Sequence, residues 1–170
     1  MSPTVSGSIA GTAVADNAPP PIVGSGARMY RANTSGVNFS AGQSQTDFPA
    51  SYYDTVTQNS ADITVTTSNN QFTVSLEGWY MVALGVETTT QNTGGAFALG
   101  IKKNGTLYQM SQGTRQCFPS WGGAYFIYLV AGDDISPCYF NSDISSWGTK
   151  GQTDGSRTYF GIVLLNRSMA

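Results

Sequence analysis

Ten carboxylates, two thiols and no histidine set the chemistry open to this 170-residue chain. Without imidazole, Ser-His-Asp and Cys-His nucleophilic sites are ruled out, and the commonest general base is missing. Zinc and iron centres built on histidine are excluded with them. A pair of Asp or Glu side chains could still cleave a glycoside. The acidic residues are scattered, however, and mostly stand beside Gly, Asn or Ser, as in "AGDD" and "TDGS", where solvated turn carboxylates belong. Asp133, Asp134, Asp143 and Asp154 follow no calcium-loop spacing, and no GxxxxGK[ST] phosphate loop occurs. The expectation is a protein with no enzymatic activity, cofactor or metal.

Aromatic side chains in polar surroundings could bind instead of react. Trp121 follows Pro119 beside Gly122-Gly123, Trp147 stands in the polar run 141–156, and Tyr52-Tyr53 follow Pro49. Rings so placed can stack on sugars, such as a host cell-surface glycan, or anchor a protein partner. They can equally cap the ends of a β-sandwich, and the residues themselves leave both readings open. Cys117 and Cys138 are read as two buried thiols rather than a disulfide.

Charged residues make up 11% of the chain, well under the roughly 25% usual for soluble domains. Mean hydropathy is nevertheless only -0.15, because Ser, Thr, Asn, Gln and Gly supply the polarity. Net charge is -2, and the densest basic spot, Lys102-Lys103, sits beside a predicted turn. Nucleic-acid binding through a basic patch is not expected. Neither is membrane insertion, since no apolar stretch reaches the ~18 residues a spanning helix needs. The N-terminus has neither a basic n-region nor a continuous apolar core, so the expectation is a protein made in a cytoplasm and not exported as a secretory precursor.

The elements that must position any site are strands. Residues 1–27 form a small-residue arm ending in Pro19-Pro20-Pro21, with too little apolar surface to order except against a neighbouring subunit or another protein. From 28 to 170 no window carries a helical apolar period of useful length, and short alternating runs follow one another between turn residues. Asn104-Gly105, between "ALGIKK" and "TLYQM", predicts a type I′ hairpin. Pro137 places "ISPCYF" at an edge or bulge. About eight to ten such strands imply a sandwich or barrel.

Three strands are apolar on both faces. In "FTVSLEGWYMVALGV" (72–86) the even positions, from Phe72 to Val86, keep one apolar parity, whereas the odd face changes from Thr73, Ser75 and Glu77 to Trp79, Met81 and Ala83. Residues 124–130 and 158–165 are also apolar on both sides. A two-layer sandwich buries only one face of each sheet. The second apolar face therefore predicts a subunit contact, with Trp79, Met81, Tyr128 and Tyr159 at the interface.

Four segments in order resemble the globular-head family of complement C1q and tumour necrosis factor: "FTVSLEGWYMVALGV", "GIKKNGTLY", "AYFIYLVAGDDI" and "RTYFGIVLL". The resemblance spans about residues 28–167. It implies an all-β antiparallel jelly-roll sandwich of about ten strands that forms a homotrimer, in a family of mostly binding and scaffolding modules. The family's collagen-like Gly-X-Y stem is absent here, replaced by the short arm. Together these features point to a non-enzymatic structural protein on the surface of a virus particle, of tailed-phage type. The arm would dock onto other virion proteins and the jelly roll would project, as a minor tail, receptor-binding or capsid-decoration protein. The alternative is a glycan-binding lectin or adhesin.

Overall fold

A computed structural model describes residues 24–89, 95–111, 120–142 and 146–167. Thirteen strands stack as two antiparallel sheets, with one three-residue 3-10 turn (Thr67–Asn69) and no α-helix among the described residues. The first sheet joins β1 (Gly26–Tyr30), β2 (Val37–Phe39), β4 (Thr55–Asn59), β7 (Gly78–Thr88), β10 (Ser120–Leu129), β12 (Trp147–Lys150) and β13 (Tyr159–Arg167). The second joins β3 (Gly42–Asp47), β5 (Ile63–Thr66), β6 (Gln71–Val74), β8 (Phe97–Lys103), β9 (Thr106–Met110) and β11 (Asp134–Asn141). The fold class is as expected, with more strands than the ten or so anticipated.

The segment 72–86 is not one strand. Residues 71–74 belong to the second sheet, residues 78–88 to the first, and Ser75–Glu77 carries the chain across the sandwich. Even positions point inward throughout because the link preserves the pleat parity: Phe72, Val74, Tyr80, Val82, Leu84 and Val86 are all buried. The change of the odd face at Glu77-Gly78 is therefore a change of sheet. Gly78 allows the entry into β7, since a Cβ there would lie 2.3 Å from the Asn166 carbonyl oxygen and 2.8 Å from Leu164 Cδ1.

β7 is the spine of the first sheet. It pairs with β10 along one side over 78–87 and with β13 along the other over 78–85, where a bulge between Leu164 and Asn166 turns Leu165 outward. β13 in turn pairs with β1, and β1 with β4. In the second sheet the β8–β9 hairpin turns through Asn104 and Gly105, both at positive φ (50° and 75°), as a type I′ turn requires.

Three strands lie in two stretches that look like loops. β2 and β3 occupy the Gly-rich run after Asn33, and β12 sits inside the polar run 141–156. These strands are short and held by backbone ladders, β3 to β11 and β12 to β2 and β7, with one hydroxyl link added: Thr149 Oγ1 donates to the Val37 carbonyl and accepts from Tyr52 Oη at 2.9 Å. The first sheet also begins at Gly26, and Ala27 is core, so the domain starts slightly before residue 28. Residues 1–23 of the proposed arm and Cys117 lie outside the described residues. Cys138 is a buried free thiol, its pKa pushed up to about 11 by burial.

Candidate functional site

Register brings the expected interface residues together on the outer face of the first sheet. Tyr128 of β10 stands opposite Trp79 of β7, their rings 5.5 Å apart at 65°, and Phe126 stands opposite Met81. Across β7, Val163 of β13 is the other neighbour of Met81, and Leu165 bulges out beside them. Trp79 is 50% exposed, Phe126 61%, Leu165 50% and Val130 43%, while Met81, Tyr128 and Val163 are half-buried. The patch is therefore apolar, contiguous and open in the single chain. Phe126 is its most exposed member, and the alternation of 124–130 already marked it.

Tyr159, the fourth expected residue, lies on the same face but outside the patch. Its ring rests over Gly85, where a Cβ would come within 2.8 Å of Cε1. Arg28 lies 5.4 Å from the Tyr159 ring centroid and 5.8 Å from that of Tyr30, and its guanidinium donates to the Gly155 carbonyl at 2.5 Å. The face thus has an apolar half, from Trp79 to Leu165, and a tyrosine-arginine half.

Along the free flank of β10 the second sheet supplies caps. Tyr108 Oη donates to the Phe126 carbonyl at 3.3 Å, and Lys103 Nζ to the Tyr128 carbonyl at 3.2 Å. The Val130 N–H donates to the Asp133 carboxylate at 2.8 Å. Burial alone would raise the pKa of Asp133, but hydrogen bonds from Lys103, Val130 and Asn104 outweigh it and hold the carboxyl below the usual range.

Other acidic groups are likewise engaged in holding backbone or side chains. Glu87, buried, accepts from Arg157 at 2.8 Å and from Gln152 at 2.9 Å, with Lys150 at 3.7 Å. Asp54 accepts from the Ala32 and Asn33 N–H groups, and Asp47 pairs with Lys102 at 2.6 Å. No group of three or more His, Cys, Asp or Glu is placed to hold a metal among the described residues.

The aromatic residues considered for ligand contact are placed differently. Tyr52, Tyr53 and Trp147 are 1%, 0% and 0% exposed and belong to the core, which corrects their assignment as surface contacts. Trp147 faces inward from β12 and stacks on Phe97 at 4.7 Å and 10°. The two adjacent tyrosines both enter the core because Ser51, at φ 54°, opens a turn rather than a strand before them, closed by Tyr52 N–H donating to the Pro49 carbonyl. Trp121 is placed by its backbone alone, opposite Val86 on β7.

No family model matches the chain, and no curated protein does. Solved structures do. The chain is similar to the Eiger TNF of S. frugiperda at 19% identity and a TM-score of 0.53, over 86% of this chain and 95% of that one. Bushbaby GITRL matches at 20% identity and a TM-score of 0.44, over 74% of this chain and 96% of that one. Rabbit GITRL matches at 18% and 0.42, over 63% and 79%. The first likeness shows the fold, a TNF-like jelly roll.

Proposed function

We propose that this chain is a non-enzymatic structural protein that assembles as a homotrimer through the outer face of its first sheet. The observation that carries this is the open apolar patch of Trp79, Met81, Phe126, Tyr128, Val163 and Leu165, aligned by strand register on one face. The outward residues of the second sheet include Thr64, Gln71, Thr73, Lys102, Asp134 and Ser136, a polar set. Apolar patches of a few hundred Å² mark interaction sites on single subunits. Covering each large side chain contributes on the order of 1–3 kcal/mol, enough in sum to hold an obligate assembly. Threefold order is what the resemblance to the C1q and tumour necrosis factor heads implies.

Analytical ultracentrifugation at micromolar concentration tests this. The expected species is three chains, and Met81→Glu is expected to give folded monomers with an unchanged circular dichroism spectrum. A stable wild-type monomer, or a Met81→Glu trimer, overturns the assignment.

Within the same proposal the trimer belongs on the surface of a tailed-phage-like virus particle, as a minor tail, receptor-binding or capsid-decoration protein. Supporting it are the charge-poor, hydroxyl- and amide-rich composition and the small-residue arm that precedes β1. Ser25 already belongs to the domain, since its carbonyl accepts from the Leu164 N–H at 3.0 Å, so the deletion that probes the arm is residues 1–23. That deletion should abolish incorporation into particles and leave the trimer intact. Unimpaired incorporation overturns the arm as the anchor.

A further inference from the structure

The second sheet contains a gap. Strand β11 pairs with β8 along one flank over 135–141. On its other flank it pairs with β6 at Asp134 and Ile135 and with β3 only from Cys138 onward, so Ser136 and Pro137 have no strand beside them there. Asp134 directs both its N–H and its carbonyl to Asn104, towards the β8 side. By alternation, Ile135, Pro137 and Tyr139 address the flank shared by β6 and β3. Pro137 lacks the N–H that a bridging strand would need. The ladder is interrupted at the residue that cannot continue it.

The gap opens into a cavity of about 310 Å³, walled among others by Asp47, Ala50, Ser68, Asn69, Gln71 and Ser136. That volume lies at the small end of ligand sites. Four lining side chains, Ser68, Asn69, Gln71 and Ser136, make no hydrogen bond within the described residues. Each can both donate and accept. The one carboxylate, Asp47, is neutralised by Lys102 at 2.6 Å, so the wall carries no uncompensated charge.

We infer that this gap is a binding site for a neutral polyhydroxylated ring, a pyranose unit of a glycan. Hydroxyls on such a ring need partners that donate and accept at short range, which the two amides and two serines supply. Ala50, exposed at the rim, offers apolar surface to the ring's C–H face. An anion finds no unpaired cation here, because Lys102 is taken by Asp47. An extended peptide finds neither a backbone donor at Pro137 nor more than two residues of open ladder. The glycan-binding role therefore moves from the buried Tyr52, Tyr53 and Trp147 to the opposite side of the sandwich from the assembly face.

Saturation-transfer NMR on the full-length protein, with millimolar methyl glycosides of glucose, galactose, mannose and N-acetylglucosamine as separate probes, tests the site. At least one glycoside is expected to bind. Asn69→Ala/Gln71→Ala should weaken it about tenfold or more, and Trp121→Ala should leave it unchanged. A second variant, Ser136→Leu, fills the gap and should also abolish transfer. Circular dichroism and sedimentation report folding and assembly for each variant, so loss of the site and loss of the trimer are read separately. No transfer from any of the four glycosides, or transfer insensitive to both the double and the filling variant, overturns the proposal. Transfer lost only in Trp121→Ala does the same.

Discussion

Tyr52 and Tyr53 are adjacent, chemically identical and equally buried, yet their hydroxyls stand in opposite situations. Tyr52 Oη donates to Thr149 Oγ1 at 2.9 Å and its ring lies 5.0 Å from the Arg31 guanidinium. Tyr53 Oη is buried among rings with no hydrogen-bond partner among the described residues. A buried hydroxyl that exchanges water for nothing costs about 1–3 kcal/mol. Tyr53→Phe keeps the ring and removes that cost, so it should raise the unfolding free energy measured in urea by about 1 kcal/mol or leave it unchanged. Tyr52→Phe removes the donor to Thr149 Oγ1, a buried acceptor, and should lower stability by about 1–2 kcal/mol. Equal losses from the two substitutions would show that Tyr53 has a partner. Sequence cannot separate the two residues, because what distinguishes them is a hydroxyl 97 positions away on β12.

At the scale of elements, what was legible followed from local periodicity and turn chemistry. Asn104-Gly105 specifies its own hairpin, since both residues must adopt positive φ and these two do so readily. The two-faced runs of β7, β10 and β13 showed which sheet has something to cover, and register then aligned Trp79, Met81 and Tyr128. Where strands are short and polar, as in β2, β3 and β12, periodicity is silent and the stretch reads as loop. Trp147 stays ambiguous in the sequence for that reason: its neighbours are polar, but its strand sits over the aromatic core. The gap at Pro137 was half visible, since proline forbids a ladder donor. Which side chains border it depends on β3 and β6 ending on either side of it, a long-range fact.

At the scale of the whole molecule, burial holds four tyrosines protonated beyond their usual range. Burial pushes Tyr52 and Tyr80 up to about 12 and raises Tyr53 and Tyr125 as well. In the unfolded chain a tyrosine ionises near 10, so the stabilisation is intact below about pH 10 and is lost as pH climbs towards 12. Asp54, Asp62 and Asp133 act in the other direction: burial would raise them, but hydrogen bonds hold them low, and their contribution is lost as pH falls below about 4. Urea midpoints should form a plateau between those limits and drop steeply above about pH 10. A midpoint still flat at about pH 11 would show that these rings ionise in the folded state. The flank of β10, finally, bears on how many copies can join. Tyr108, Lys103 and Asp133 occupy the backbone groups at 126, 128 and 130 that another strand would have to engage. Growth by adding strand to strand has no terminal point, whereas growth by pressing face to face ends when the faces are used up. Capping β10 discourages the first route along that flank and leaves the second open, so the proposed assembly is expected to close at a countable size rather than extend as a fibre.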